Sequence, residues 1–98
     1  MNNKVIMEYL IGEIGESQTI AQNHANGFAR NPDIESEFVL WIQTRKFPEN
    51  PIKVQGYSAE DICKISPLIP VGAYNFLITL REHTEFALAD IRAGFPKR

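Results

Sequence analysis

The sequence predicts an all-α fold, a small single-domain helical bundle of four to six helices, on three observations. Apolar residues recur at helical spacing through most of the chain, several segments open on helix-start signals, and the one alternating run has no second strand to pair with. Apolar residues make up 44% and charged residues 22%, ordinary globular proportions far from those of a disordered chain. A chain of this size buries roughly 65% of its extended surface, enough for one core without a metal or disulfide staple. The predicted domain spans residues 1–98, with a proline-rich connector from Phe47 to Gly56 and a frayed tail from Pro96 to Arg98.

From Lys4 to Phe28, the residues Ile6, Leu10, Ile14, Ala21, Ala25 and Phe28 follow the spacing of one helical face. Gly12 and Gly15 each cost about 1 kcal/mol inside a helix relative to alanine, so a break near Gly15 and Glu16 is expected, with Ser17 or Thr19 capping a second piece. Asn31-Pro32-Asp33 is a start signal: asparagine as N-cap, proline at the first helical position, and Asp33 and Glu35 facing the positive end of the dipole. The helix should run to about Arg45, with Phe38, Trp41, Ile42 and Arg45 sharing a face beside Leu40.

Prolines 48 and 51 end that helix, because each disfavours a helical conformation in the residue before it. Ile52-Lys53-Val54-Gln55 alternates like an extended piece but has no evident partner strand, so it is expected as coil packed on the helices. Ser58 and Asp61 have the spacing of a capping box, and Tyr57 and Ile62 that of a hydrophobic staple. This short helix stops before Pro67, and Pro70 opens the next. There, Ala73, Phe76, Leu77 and Leu80 form one apolar face and Val71, Tyr74 and Ile78 another, which predicts a central helix. Thr84 is expected to cap the last helix, whose apolar surface comes from Phe86, Leu88, Ala89 and Ile91, with Gly94 just past its end.

The net charge of −2 provides no general field toward nucleic acid or anionic lipid. Residues 1–40 sum to −4 and residues 41–98 to +2. No apolar run approaches the roughly 20 residues of a membrane-spanning helix, Glu8 interrupts the apolar start, and a lone cysteine, Cys63, fits a reducing compartment. A cytoplasmic protein with no membrane contact is expected.

Catalytic residues are not identified. Cys63 lacks a nucleophile motif, and His24, His83 and Cys63 do not form a zinc set. Gly12-Glu13-Ile14-Gly15 follows no clear strand and carries an acid between its glycines, a poor phosphate cradle. No cofactor or metal is expected, and the chain reads as non-enzymatic.

Two stretches have the layout of a binding surface. Ser58–Ile65, a corner and Val71–Glu82 are arranged like a helix-turn-helix, but the second helix offers bases only Asn75, Thr79 and Arg81 among apolar residues. Trp41, Arg45, Lys46, Phe47 and Lys53 form a basic, aromatic run, for which core packing and helix-end charge are the competing use. Arg45, Lys46, Lys53 and Arg81 are therefore the candidate contacts to a partner or nucleic acid. Tyr9, Ile11, Phe47 and Tyr74 are apolar or aromatic positions with two equal readings, as plain core or as positions one small core leaves partly uncovered, and an exposed patch of them would mark a protein-partner surface, including one for a second copy.

Gly72-Ala73-Tyr74, Leu77, Leu80-Arg81-Glu82, Ala87-Leu88 and Gly94-Phe95-Pro96, spread over the second half of the chain, resemble small uncharacterised accessory proteins of bacterial conjugative or other mobile elements. The resemblance implies a bacterial cytosolic protein and assigns no functional residue. The functional expectation is a protein-interaction or regulatory module, acting as a homodimer or on an unidentified protein; the alternative is a nucleic-acid-binding module built on the pair of helices between Ser58 and Glu82.

Overall fold

The computed structural model describes residues 2–95; the tail predicted at Pro96–Arg98 lies outside them. Among the described residues the regular structure is helical, as predicted: α1 (Asn2–Tyr9) continuing into a π turn (Leu10–Ile14), α2 (Gln18–Ala29), α3 (Pro32–Thr44), α4 (Ala59–Ile65), α5 (Pro70–Glu82) and α6 (Thr84–Arg92). The chain divides into two compact units, Met1–Lys46 and Phe47–Arg98.

In the first unit the expected break is present. Gly15 adopts φ +85°, which an L side chain rarely accepts, and both its N–H and that of Glu16 donate to the Leu10 carbonyl. Ser17 is the cap of α2, its hydroxyl accepting from Ile20 N–H at 3.2 Å. Ile6, Leu10, Ala21, Ala25 and Phe28 are buried, while Ile14 is only half-buried. Asn31 occupies the cap position of α3, but its amide turns back and donates to the Gly27 carbonyl at 3.0 Å, holding the end of α2. Four rings form the centre. Phe28 stacks on Phe38 at 4.7 Å, Phe38 lies nearly parallel to Trp41 at 6.4 Å, and Tyr9 meets both Phe38 and Trp41 edge-on at 83°. Ile34, not assigned a core role from the sequence, is fully buried in the same helix as Phe38.

In the second unit, Ile52–Gln55 forms no strand, yet Val54 has a partner. Gln55 and Gly56, at φ 52° and 84°, make a two-residue turn that pairs Val54 with Tyr57 through two backbone hydrogen bonds of 2.9 and 3.0 Å. The turn delivers the chain to Ser58, where the capping box is complete: Asp61 N–H donates to Ser58 Oγ at 3.1 Å and Ser58 N–H to Asp61 Oδ2 at 3.0 Å. These bonds hold the Asp61 carboxyl below its usual range, the bond from the Ser58 N–H foremost. Ser66 closes α4 by donating to the Ile62 carbonyl at 2.5 Å and accepting from Leu68 N–H at 3.2 Å.

Helix α5 packs against both α4 and α6 and buries Val71, Ala73, Tyr74, Leu77, Ile78 and Leu80, so it is central to its unit as its two apolar faces predicted. Leu68 folds over Gly72, where a β-carbon would come within 3.3 Å of it. The last helix departs from expectation at its start. His83, not Thr84, is the cap residue; its N–H closes α5 onto Thr79 and its carbonyl opens α6 by accepting from Ala87, while the Thr84 hydroxyl donates back to Leu80. Inward contact comes from Ala87, which is fully buried, rather than from Phe86, which is exposed. Gly94 at φ +76° ends the helix in a Schellman arrangement: its N–H donates to Ile91 and that of Phe95 to Asp90. The Phe95 ring then meets Phe76 at 4.9 Å.

Candidate functional site

The four basic candidates divide between the units, Arg45 and Lys46 in the first, Lys53 and Arg81 in the second. Arg45 is the most constrained of them. It is the residue just after α3, in a left-handed conformation with φ 60° that glycine takes more readily. Its side chain folds back over the first unit. Nε donates to the Ile42 carbonyl at 2.8 Å, an Nη pairs with the Glu13 carboxylate, and the guanidinium carbon lies 5.2 Å from the centre of the Tyr9 ring and 5.1 Å from that of Trp41. Burial pushes the Tyr9 hydroxyl above its usual range, against the opposing effect of the Arg45 charge, with Glu13 adding to the rise.

This cluster gives Arg45 an intramolecular use and covers the face of Trp41, which is 9% exposed and packed as its place in the apolar pattern predicted. Base stacking on Trp41 would require Arg45 to leave. Lys46 is exposed, its backbone tied to the Thr44 hydroxyl. Lys53 is exposed, and its charge helps lower the Asp61 carboxyl in the same unit. Arg81 is exposed in the last turn of α5, next to exposed Glu82.

The helix-turn-helix candidate has part of the required geometry. α4 and α5 meet at a bend of 110° across residues 66–69, within the usual range for such pairs. Its second helix is spent inward. Asn75 and Thr79 are half-buried, and the Thr79 hydroxyl donates to the Asn75 carbonyl at 3.4 Å. What remains outside is Arg81 with Glu82, a mixed-charge pair poorly matched to phosphate.

Cys63, His24 and His83 belong to different elements. Cys63 is half-buried, and burial, with a contribution from Glu60, holds its thiol above the usual range and thus protonated at neutral pH. His24 is half-buried on α2 and His83 is exposed between α5 and α6. Among the described residues no group of three histidines, cysteines or carboxylates could hold a metal ion. An open depression of about 340 Å³ on α2 is lined by Gln18, Thr19, Gln22 and Asn23, without an ionisable side chain.

Of the positions read equally as core or as partner surface, Tyr9 and Tyr74 are core, each in contact with a neighbouring ring. Phe47 is half-buried against Tyr74, and Ile11 is 43% exposed. Besides Ile11, the exposed large apolar side chains are Ile20 and Leu40 in the first unit and Ile65, Ile69 and Phe86 in the second, none of which the sequence pattern singles out as a partner surface. Glu13 and Tyr9 as partners of Arg45 are likewise not evident from the sequence. Their four-residue spacing is legible, but the arginine that joins them lies 32 residues beyond Glu13. No single helix among the described residues is long and apolar enough to cross a membrane. A scan of protein families, a search of curated proteins and a search of solved structures each found no match.

Proposed function

We propose that this chain is a non-enzymatic cytoplasmic interaction module, with a second copy of itself as the first partner to test. The observation that carries this reading is three exposed apolar side chains of the second unit: Phe86 is 68% exposed in the first turn of α6, and Ile65 and Ile69, on either side of the α4–α5 corner, are 47% and 52% exposed. Single exposed apolar side chains are common, but a phenylalanine left this open beside a buried alanine is not required by the packing of its helix. Covering it would contribute at about 25 cal/mol per Å² of apolar area. Supporting the non-enzymatic part, Cys63 is held as a thiol. Sedimentation or light scattering over a concentration series tests self-association. A dimer mass that Ile69→Ser with Phe86→Ser returns to one chain of 11.1 kDa is the expected result. A one-chain mass at every concentration rejects the homodimer.

The second reading, a nucleic-acid-binding module, is favoured by the 110° bend and the four-residue corner between α4 and α5. It requires retention of random duplex at low salt that falls steeply as salt rises and weakens with Arg81→Ala. Absence of retention at low salt removes it.

A further inference from the structure

Arg45 occupies a place with the composition of a cation receptor. Tyr9 and Trp41 stand edge to face at 83° with ring centres 6.0 Å apart, and one positive carbon lies near 5 Å from both, at 5.2 and 5.1 Å. Glu13 supplies the opposing charge through its ion pair with Arg45. Two rings at right angles and a carboxylate around one positive centre are the elements by which proteins hold quaternary ammonium groups, whose weak hydration favours ring faces over water. The place also opens to solvent. The side chains of Arg45 and Glu13 are 49% and 52% exposed, whereas Tyr9 and Trp41 are 7% and 9% exposed with the arginine lying over them. Arg45 reaches the rings from a left-handed residue just beyond the end of α3, so it can swing away without unwinding a helical turn.

We propose that Tyr9, Trp41 and Glu13 form a binding site for a quaternary ammonium group, and that Arg45 is its internal occupant, displaced when such a group binds. The site takes the cation as such, so it stands independently of the apolar surface of the second unit and of self-association. Trp41 is the sole tryptophan of the chain, and its emission therefore reads the site directly. Tetramethylammonium chloride is titrated into the wild type and into Arg45→Ala, each against sodium chloride at equal ionic strength. Removing the occupant should tighten binding by about tenfold, the factor expected if Arg45 leaves the rings unassisted roughly one-tenth of the time. Adding Glu13→Gln to Arg45→Ala should weaken it again. Separate titrations with choline and with trimethyllysine amide distinguish a free small molecule from a modified protein side chain as the source.

A folded Arg45→Ala protein with no saturable response beyond the sodium control overturns the proposal, as does equal affinity in the two proteins. Should Arg45→Ala not fold, the nuclear magnetic resonance signal of the Arg45 Nε–H in the wild type decides. Displacement requires tetramethylammonium, and not sodium, to move that signal away from its hydrogen-bonded position; an unmoved signal overturns the proposal.

Discussion

In the first unit the buried centre is aromatic, and its rings come from three helices: Tyr9 from α1, Phe28 from α2, Phe38 and Trp41 from α3. In the second unit the centre is one helix, α5, whose buried side chains are mainly aliphatic and whose packing partners are the helices immediately before and after it. The first arrangement depends on pieces far apart in the chain, the second on neighbours. Ring pairs have preferred angles and a polarised face, so the first unit has geometric demands that aliphatic packing does not make. They also present the ring faces over which the Arg45 guanidinium lies.

The largest expected effect tests this contrast. Phe38→Ala removes the ring touching Phe28, Tyr9 and Trp41 and should cost about 3–5 kcal/mol, whereas Leu77→Ala in α5 should cost about 2–5 kcal/mol. Urea unfolding of both, followed by Trp41 emission and by circular dichroism, measures the difference. A Phe38→Ala cost below 1 kcal/mol would show that the ring cluster is incidental.

Helix ends come next. Ser58→Ala should lose about 1 kcal/mol by opening the capping box, and Gly15→Ala a similar amount, because alanine pays for φ +85° although the space around it is open. Thermal melts of the two proteins compare a side-chain cap in one unit with a backbone cap in the other.

Acid should act on the second unit through Asp61. Its folded pKa lies below its unfolded value of 3.8, so its stabilisation is present above that value and is lost as pH falls through the folded pKa. Asp61→Asn should therefore be less stable than the wild type at neutral pH, with the gap closing below about pH 4 as the wild-type carboxyl takes up its proton. A gap independent of pH would show that the carboxylate charge contributes nothing.

The smallest effect is expected at Phe86. Its exposure predicts that Phe86→Ser changes monomer stability by no more than about 0.5 kcal/mol. A larger loss in the one-chain protein would show that the ring packs within its own unit, contrary to its role as an outward surface.

Local signals carried much of this structure. The break at Gly15, the start at Pro32, the box at Ser58 and the stop at Gly94 each depend on a few adjacent residues, since backbone conformation and nearby hydrogen bonds determine where a helix begins and ends. The central place of α5 was legible for a related reason: a helix apolar on two faces needs cover on both. Less legible was the last helix, where Phe86 and Ala87 are adjacent and only packing against α5 settled that the small residue goes inward.

The sequence by itself determined the helical class, most helix ends and the apolar character of the centres, because these follow from short-range sterics, capping and periodicity. Tertiary structure alone decided that Arg45 lies over Tyr9 and Trp41 beside Glu13, and that Phe86 faces water. Those outcomes depend on which helix faces approach, and a charge and a ring that meet across many residues leave no local pattern at either position.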